Sequence, residues 1–169
     1  MDMNTVRTVP MPPFWDSSLG PVAHPEARGV TRAAAARASH AAFRTLQAAY
    51  RPTGGLARGD DLVRLLEDWQ QGDHVSLARL IVARAVFGFK WHGQFWIPMF
   101  QFELHDLSIK TAHRQVLVEL APVFDSWSLA VWFAQPNSWL CGQSPVNVLG
   151  NNLPAVLDAA RADRFIANG

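Results

Sequence analysis

The 169 residues contain a single cysteine, Cys141. An internal disulfide is therefore impossible, and a zinc site built on paired thiolates is excluded. No apolar run approaches the ~20 residues that a membrane-spanning helix needs. The first residues show no basic segment leading into an apolar stretch, so no secretory signal is read. These absences fit a reducing compartment, and the expected location is the cytoplasm, with no membrane partner. An excess of one charge is missing as well: 15 Lys and Arg stand against 14 Asp and Glu, for a formal net charge of +1. A dedicated DNA binder usually carries a basic stripe. Here only Arg28, Arg32, Arg37 and Arg44 make a loose basic run.

Catalytic patterns are also missing. There is no phosphate-cradling glycine loop, no dinucleotide fingerprint and no nucleophile elbow. Cys141 has no histidine near it in sequence, so it lacks the adjacent base that a nucleophile needs. His105-Asp106 and His113 match no metal-ligand spacing. His92 falls in a turn and is expected to face solvent. Asp60-Asp61 and Glu67-Asp68 are sequence neighbours that point in different directions on a helix. They read as helix-start charge and a polar face. The chain is therefore expected to be a binding module: not an enzyme, with no cofactor and no metal.

Aromatic residues are plentiful, with seven tryptophans and ten phenylalanines. Each buries roughly 1.5–3 kcal/mol when fully enclosed, so most are expected in a core and a few at an interface. Residues 1–25 hold five prolines and read as a disordered, proline-rich arm in which Phe14 and Trp15 are the docking candidates. From Glu26 to Tyr50 an alanine-rich helix is predicted, with an apolar stripe of Ala35, Ala38, Ala42, Leu46 and Ala49. Pro52, Gly54 and Gly55 end it. A second helix runs from about Asp60 to Trp69 and buries Leu62, Val63, Leu65, Leu66 and Trp69. After a turn at Gln71-Gly72-Asp73, a third helix spans about Val75 to Ala85 and buries Val75, Leu77, Leu80, Ile81 and Val82.

Two aromatic runs, Phe87–Trp91 and Phe95–Phe102, flank His92-Gly93-Gln94 and read as a β-hairpin. Alternation puts Phe87, Phe89 and Trp91 on one face, and Pro98 makes its strand an edge or breaks it there. Ser108 is the expected cap of a helix from about Ile109 to Pro122, with Ala112, Val116, Leu117 and Leu120 inward. Asp125 caps a helix over Trp127–Ala134, closed by Pro136. Ser144-Pro145 opens a short helix to Leu149, and Leu153-Pro154 opens the last one, to about Phe165 or Ile166.

The stretch Trp127–Leu149, with the final helix after it, resembles the toxin-binding domain of Xre/MbcA/ParS-type bacterial antitoxins. The landmarks are an apolar helix bearing Trp132, the Pro136-Asn137 turn, Leu140, Gly142, Pro145 and Leu149. Pro98-Met-Phe-Gln-Phe102 is similar to the "proline, aromatic, glutamine, phenylalanine" strand that precedes this domain in single-chain relatives. The resemblance covers about Phe87 to Phe165. It departs at Gly150-Asn-Asn-Leu-Pro154, where the family's glycine-plus-acid landmark is missing. It implies an antitoxin that neutralises a RES-type, NAD-degrading toxin by covering the active-site cleft with its C-terminal segment. Partner-binding residues would then be Trp132, Asn137, Trp139, Arg161, Arg164 and Phe165, with Trp132 and Trp139 as anchors and the two arginines reaching acids in the cleft.

The expected fold is mainly α. A helical part with one β-hairpin (26–107), like a degenerate winged helix-turn-helix, precedes a small helical toxin-binding subdomain (108–169). Helix, turn, helix and hairpin over residues 60–102 give the winged order. Its second helix would carry Ser76, Arg79 and Arg84 toward a DNA groove, with Lys90 on the wing. That transcriptional-regulator reading is the alternative, disfavoured because phosphate neutralisation needs more cations than these. A retained role in homodimer formation or packing suits such a unit, and regulation of a non-toxin protein partner is a further alternative.

Overall fold

The computed structural model describes residues 25–69 and 76–169, with side chains at 37, 39–68 and 76–169. The proline-rich arm with Phe14 and Trp15, the side chains of Ala35, Ala38 and Trp69, and the turn at Gln71-Gly72-Asp73 with Val75 lie outside the described residues. The chain divides into two compact units, Met1–Ala38 and Ser39–Gly169. Of the first, only the helical backbone from Pro25 and the side chain of Arg37 are described.

The fold is mainly helical with one small three-stranded antiparallel sheet. In chain order the regular elements are α1 (Pro25–Tyr50), β1 (Leu56–Arg58), α2 (Gly59–Trp69), α3 (Leu77–Val82), β2 (Phe89–Trp91), β3 (Gln94–Pro98), α4 (Ala112–Leu120), α5 (Ser126–Ala134), α6 (Pro145–Val148) and α7 (Leu153–Asn168). Among the described residues no helix is long and apolar enough to cross a membrane.

Within Ser39–Gly169, α1 buries Phe43, Leu46 and Tyr50, while Ala42 is exposed and Ala49 half-buried. The expected alanine stripe is thus rotated by about one residue. Two aromatic rings remove far more apolar area from water than a row of methyl groups, so they decide which face turns inward. In α2 the buried side narrows to Leu62 and Leu66, an i,i+4 pair; Val63 and Leu65 are exposed, against expectation.

The third helix is shorter than predicted, and Val82 is 84% exposed rather than buried. Ser76 caps its start, its Oγ accepting from the Arg79 N–H at 3.3 Å. Its end is a Schellman motif: the Ala85 N–H donates to the Leu80 carbonyl at 2.9 Å and the Arg84 N–H to the Ile81 carbonyl at 3.0 Å. Arg84 holds the left-handed position at φ 52°. Glycine is the usual residue there, so the stop carries no sequence signal.

The predicted hairpin is present, closed by His92 (φ 48°) and Gly93 (φ 75°). Two consecutive left-handed residues make the turn whose twist suits paired strands. A third strand, β1, was not foreseen. It pairs with β3 in the register Leu56↔Pro98, Ala57↔Ile97 and Arg58↔Trp96, so β3 is central and the order is β1-β3-β2. Pro98 ends β3 and leads into the 3-10 turn Met99–Gln101. Of the two expectations for Pro98, an edge strand or a break, the structure shows the break, and β3 is central rather than an edge. Gly88 precedes β2 because a Cβ there would lie 2.7 Å from the Phe95 ring and the Trp96 carbonyl.

Both faces of the sheet are covered. Trp96 packs toward the larger core, with Phe43, Leu46, Tyr50, Phe87, Phe89, Phe100 and the inner sides of α4, α5, α6 and α7. Phe95 and Ile97 point to a smaller one, with Leu62, Leu66, Leu77, Val86, Met99 and Phe102. Phe87, Phe89 and Trp91 share the larger core, as alternation predicts.

The expected helix at Ile109 begins only at Ala112, after Thr111. Ile109 is instead held in a bridge to Phe102. Glu103 and Lys110 donate backbone hydrogen bonds to Ser108 and Gln101 at 2.8 and 2.9 Å. Those extended pairings take the backbone that a helix would use. Ser108 therefore caps nothing; its N–H donates to Asp106 Oδ1 at 2.9 Å. Asp125 does cap α5, accepting from the Ser128 N–H at 2.7 Å, and that bond holds its carboxyl below the usual range.

Candidate functional site

The residues singled out by the sequence converge on the last three elements. Asn137 follows Pro136 at the end of α5 and is buried. Its Oδ1 accepts from the Trp139 N–H at 2.9 Å, starting the 3-10 turn Ser138–Leu140. The Asn137 N–H donates to the Gln143 carbonyl at 3.0 Å, and its own carbonyl accepts from Leu140 and Gly142 at 3.1 and 3.0 Å. Cys141 (φ 55°) and Gly142 (φ 79°) make the reversal that closes this loop. Glycine fits such a position without a Cβ penalty. Pro136, Asn137, Leu140 and Gly142 thus build one closed loop.

The loop is tied to α7 by one carboxylate. Asp163 Oδ2 accepts from Asn137 Nδ2 at 2.8 Å and from Trp132 Nε1 at 2.7 Å. Trp132 and Asn137 are joined through Asp163, a residue that sequence reasoning missed. Its position four residues along α7 from Ala159, on the half-buried side, is its only signal.

Arg161 and Arg164 are engaged within the chain. Arg161 Nε donates to Glu119 Oε1 at 3.0 Å, its second nitrogen reaches Asp158 at 3.2 Å, and Arg164 donates to Glu119 Oε2 at 2.6 Å. Glu119 of α4 is spanned by both guanidiniums. In the chain by itself the pair, expected to reach acids of a partner, clamps α7 on α4, while both side chains stay substantially exposed.

The exposed apolar groups at this end are Trp139 (58%), Phe165 (80%) and Ile166 (64%). The Ser138–Leu140 turn packs on α7. Trp139 and Phe165 each lie two residues from a partner of the Asn137–Asp163 bond. Exposed apolar groups thus stand on two elements, the Ser138–Leu140 turn and the end of α7, that a half-buried polar contact holds together.

The residues of the DNA-binding alternative are more scattered. Ser76 is spent as the α3 cap. Arg79 lies on α3, Arg84 beyond its end and Lys90 on β2, all three exposed. Arg84 also borders a cavity of about 290 Å³ with Val86, Phe87, Leu129 and Asp125.

Gln101, inside the Pro98–Phe102 landmark, is fully buried. Its Oε1 accepts from the Phe87 N–H at 2.8 Å, and its Nε2 donates to the Phe87 and Pro98 carbonyls at 2.8 and 2.9 Å. One side chain thus satisfies three backbone groups where the chain enters β2. His113 is buried as well, with Nε2 2.8 Å from the Ala85 carbonyl and Nδ1 unpartnered. Burial pushes its pKa down to about 4. His105 and Asp106 lie at the surface, 3.4 Å apart. Among the described residues no three His, Cys, Asp or Glu side chains gather as a metal set. Comparison with known protein families, curated proteins and solved structures finds no significant match to this chain.

Proposed function

We propose that this chain is a binding regulator of the antitoxin kind, acting on a RES-type NAD-degrading toxin by covering the cleft where its substrate enters. The observation that carries this reading is the exposure of Trp139 on the turn and of Phe165 and Ile166 at the end of α7, two elements joined through Asn137, Trp132 and Asp163. Exposed aromatic and aliphatic groups on an ordered backbone are what a hot spot requires, because the backbone cost of ordering is already met before binding. The end of α7 is open to solvent, as an occluding segment must be. The Glu119 clamp leaves Arg161 and Arg164 to position α7, while the apolar residues make the contact. No catalytic step is assigned to the chain.

The test mixes the full chain with a RES-type toxin at micromolar concentration on a sizing column. Co-elution and loss of NAD degradation are expected. Trp139→Ala and Phe165→Ala should each weaken the complex by about tenfold or more, with the thermal midpoint of the free chain unchanged. Separate elution of the wild-type chain overturns the reading.

One observation favours a second reading. The order α1-β1-α2-α3-β2-β3 with sheet order β1-β3-β2 is compatible with a degenerate winged helix, which would give this reading a DNA-binding unit. Arg79, Arg84 and Lys90 would be its phosphate contacts. Binding by so few cations requires a mobility shift at low salt that fades as salt is added.

A further inference from the structure

We propose that His40 and His92 form a two-imidazole site for a borderline divalent transition cation: Cu²⁺, Ni²⁺ or Zn²⁺. The two rings come from different elements, α1 and the β2–β3 turn, and their centres are 4.6 Å apart with planes tilted by 52°. Two imidazoles bound side by side to one ion, with metal–nitrogen bonds of about 2.0–2.1 Å, bring their ring centres to about 4.5–5 Å. The observed spacing falls in that range. The 52° tilt is not that of a parallel stack, and exposed rings can turn their nitrogens to a shared ion.

The pair is also preorganised. Both rings rest on Trp91, with His40 meeting it edge-on at 5.1 Å and His92 at 4.2 Å. Trp91 is itself fixed, stacked on Phe43 at 3.8 Å and 4°, with its Nε1 donating to Ser39 Oγ at 3.3 Å. The turn backbone at His92 is held in the left-handed region, at φ 48°. Supporting contacts that fix ring orientation are what a ligating histidine uses. Both imidazoles are exposed, so water completes the coordination. The nearby cations Arg44 and Lys90 are exposed too and are screened by solvent and salt. Imidazole nitrogen without carboxylates disfavours Mg²⁺ and Ca²⁺, and among first-row ions Cu²⁺ binds such a set most tightly.

The experiment uses the full chain without a histidine tag and Cu²⁺ as the probe. Titration calorimetry should show a site filled by one equivalent. His40→Ala and His92→Ala should each lower the affinity by about tenfold or more, and the double variant should add little, because the second nitrogen binds intramolecularly. His105→Ala should leave the affinity unchanged. Substoichiometric Cu²⁺ should broaden backbone amide resonances at Ser39–Phe43 and Phe89–Gln94 of the wild type before any others. This mapping does not depend on how a variant folds. Retained affinity in either single variant overturns the proposal, and so does broadening that begins elsewhere.

Discussion

The ring of His113 lies inside the larger core's edge, with one nitrogen on the Ala85 carbonyl and the other facing no partner. Its neutral form fits there and its cation does not. With a folded pKa near 4 against an ordinary value of 6.5, the unfolded chain binds the extra proton first as pH falls. Stability from this group is complete above about pH 6.5 and is lost on descending toward pH 4. The loss is roughly 3 kcal/mol across that window. Urea unfolding between pH 4 and 7 should show it, and His113→Leu should flatten the slope. Asp125, whose carboxyl is held low by its cap bonds, is shifted in the same direction. Its contribution is likewise lost as pH falls, but through and below the ordinary carboxylate range. The role of His113 was not legible in sequence. Helical spacing from Val116 and Leu120 puts it on the inner side, but only the Ala85 carbonyl explains a polar group there. Gln101 was visible as a landmark letter, and its three backbone partners lie up to 14 residues away.

Among the elements, those with local stop signals were readable. Asp125 before α5, Pro145 in α6 and Pro154 in α7 set those starts through capping and proline geometry. Elements set by distant pairing were not. β1 exists because β3 offers it an edge, and Ile109 is extended because Phe102 holds it. At this scale α7 rests on two polar anchors, Glu119 and Asp163. Asp163→Ala leaves Trp132 Nε1 and Asn137 Nδ2 half-buried without acceptors, which costs on the order of 2–4 kcal/mol. The thermal midpoint should fall and the near-ultraviolet tryptophan signal should change, since Trp132 loses its fixed pose. Glu119→Gln, at a more solvated pair, should cost about 1 kcal/mol or less. An equal effect from the two substitutions would mean that Asp163 does not order the loop.

Across the whole molecule, Ser39–Gly169 is one compact unit, and the larger core is shared along it. Tyr50 at the end of α1 donates its hydroxyl to the Ala130 carbonyl in α5 at 2.7 Å. Phe100 and Phe87 pack on Phe133, at 4.9 and 5.6 Å between ring centres. Residues 108–169 therefore borrow apolar partners from the first half. Expressed alone, they should lack a cooperative thermal transition, whereas 39–169 should unfold in one step. A sharp transition in the short fragment would show that its own helices suffice as a core.

By itself the amino-acid order determined the helical class, the hairpin, the starts of α5, α6 and α7 and the crowd of aromatics bound for the interior. These follow from backbone preferences and from periodicity, which act over a few residues. Only tertiary structure decided which face of α1 turned inward, that a third strand joined the sheet, that Asp163 gathered Trp132 and Asn137, and that His40 met His92. Each of those depends on groups far apart along the chain, whose meeting is set by the packing of all the elements at once.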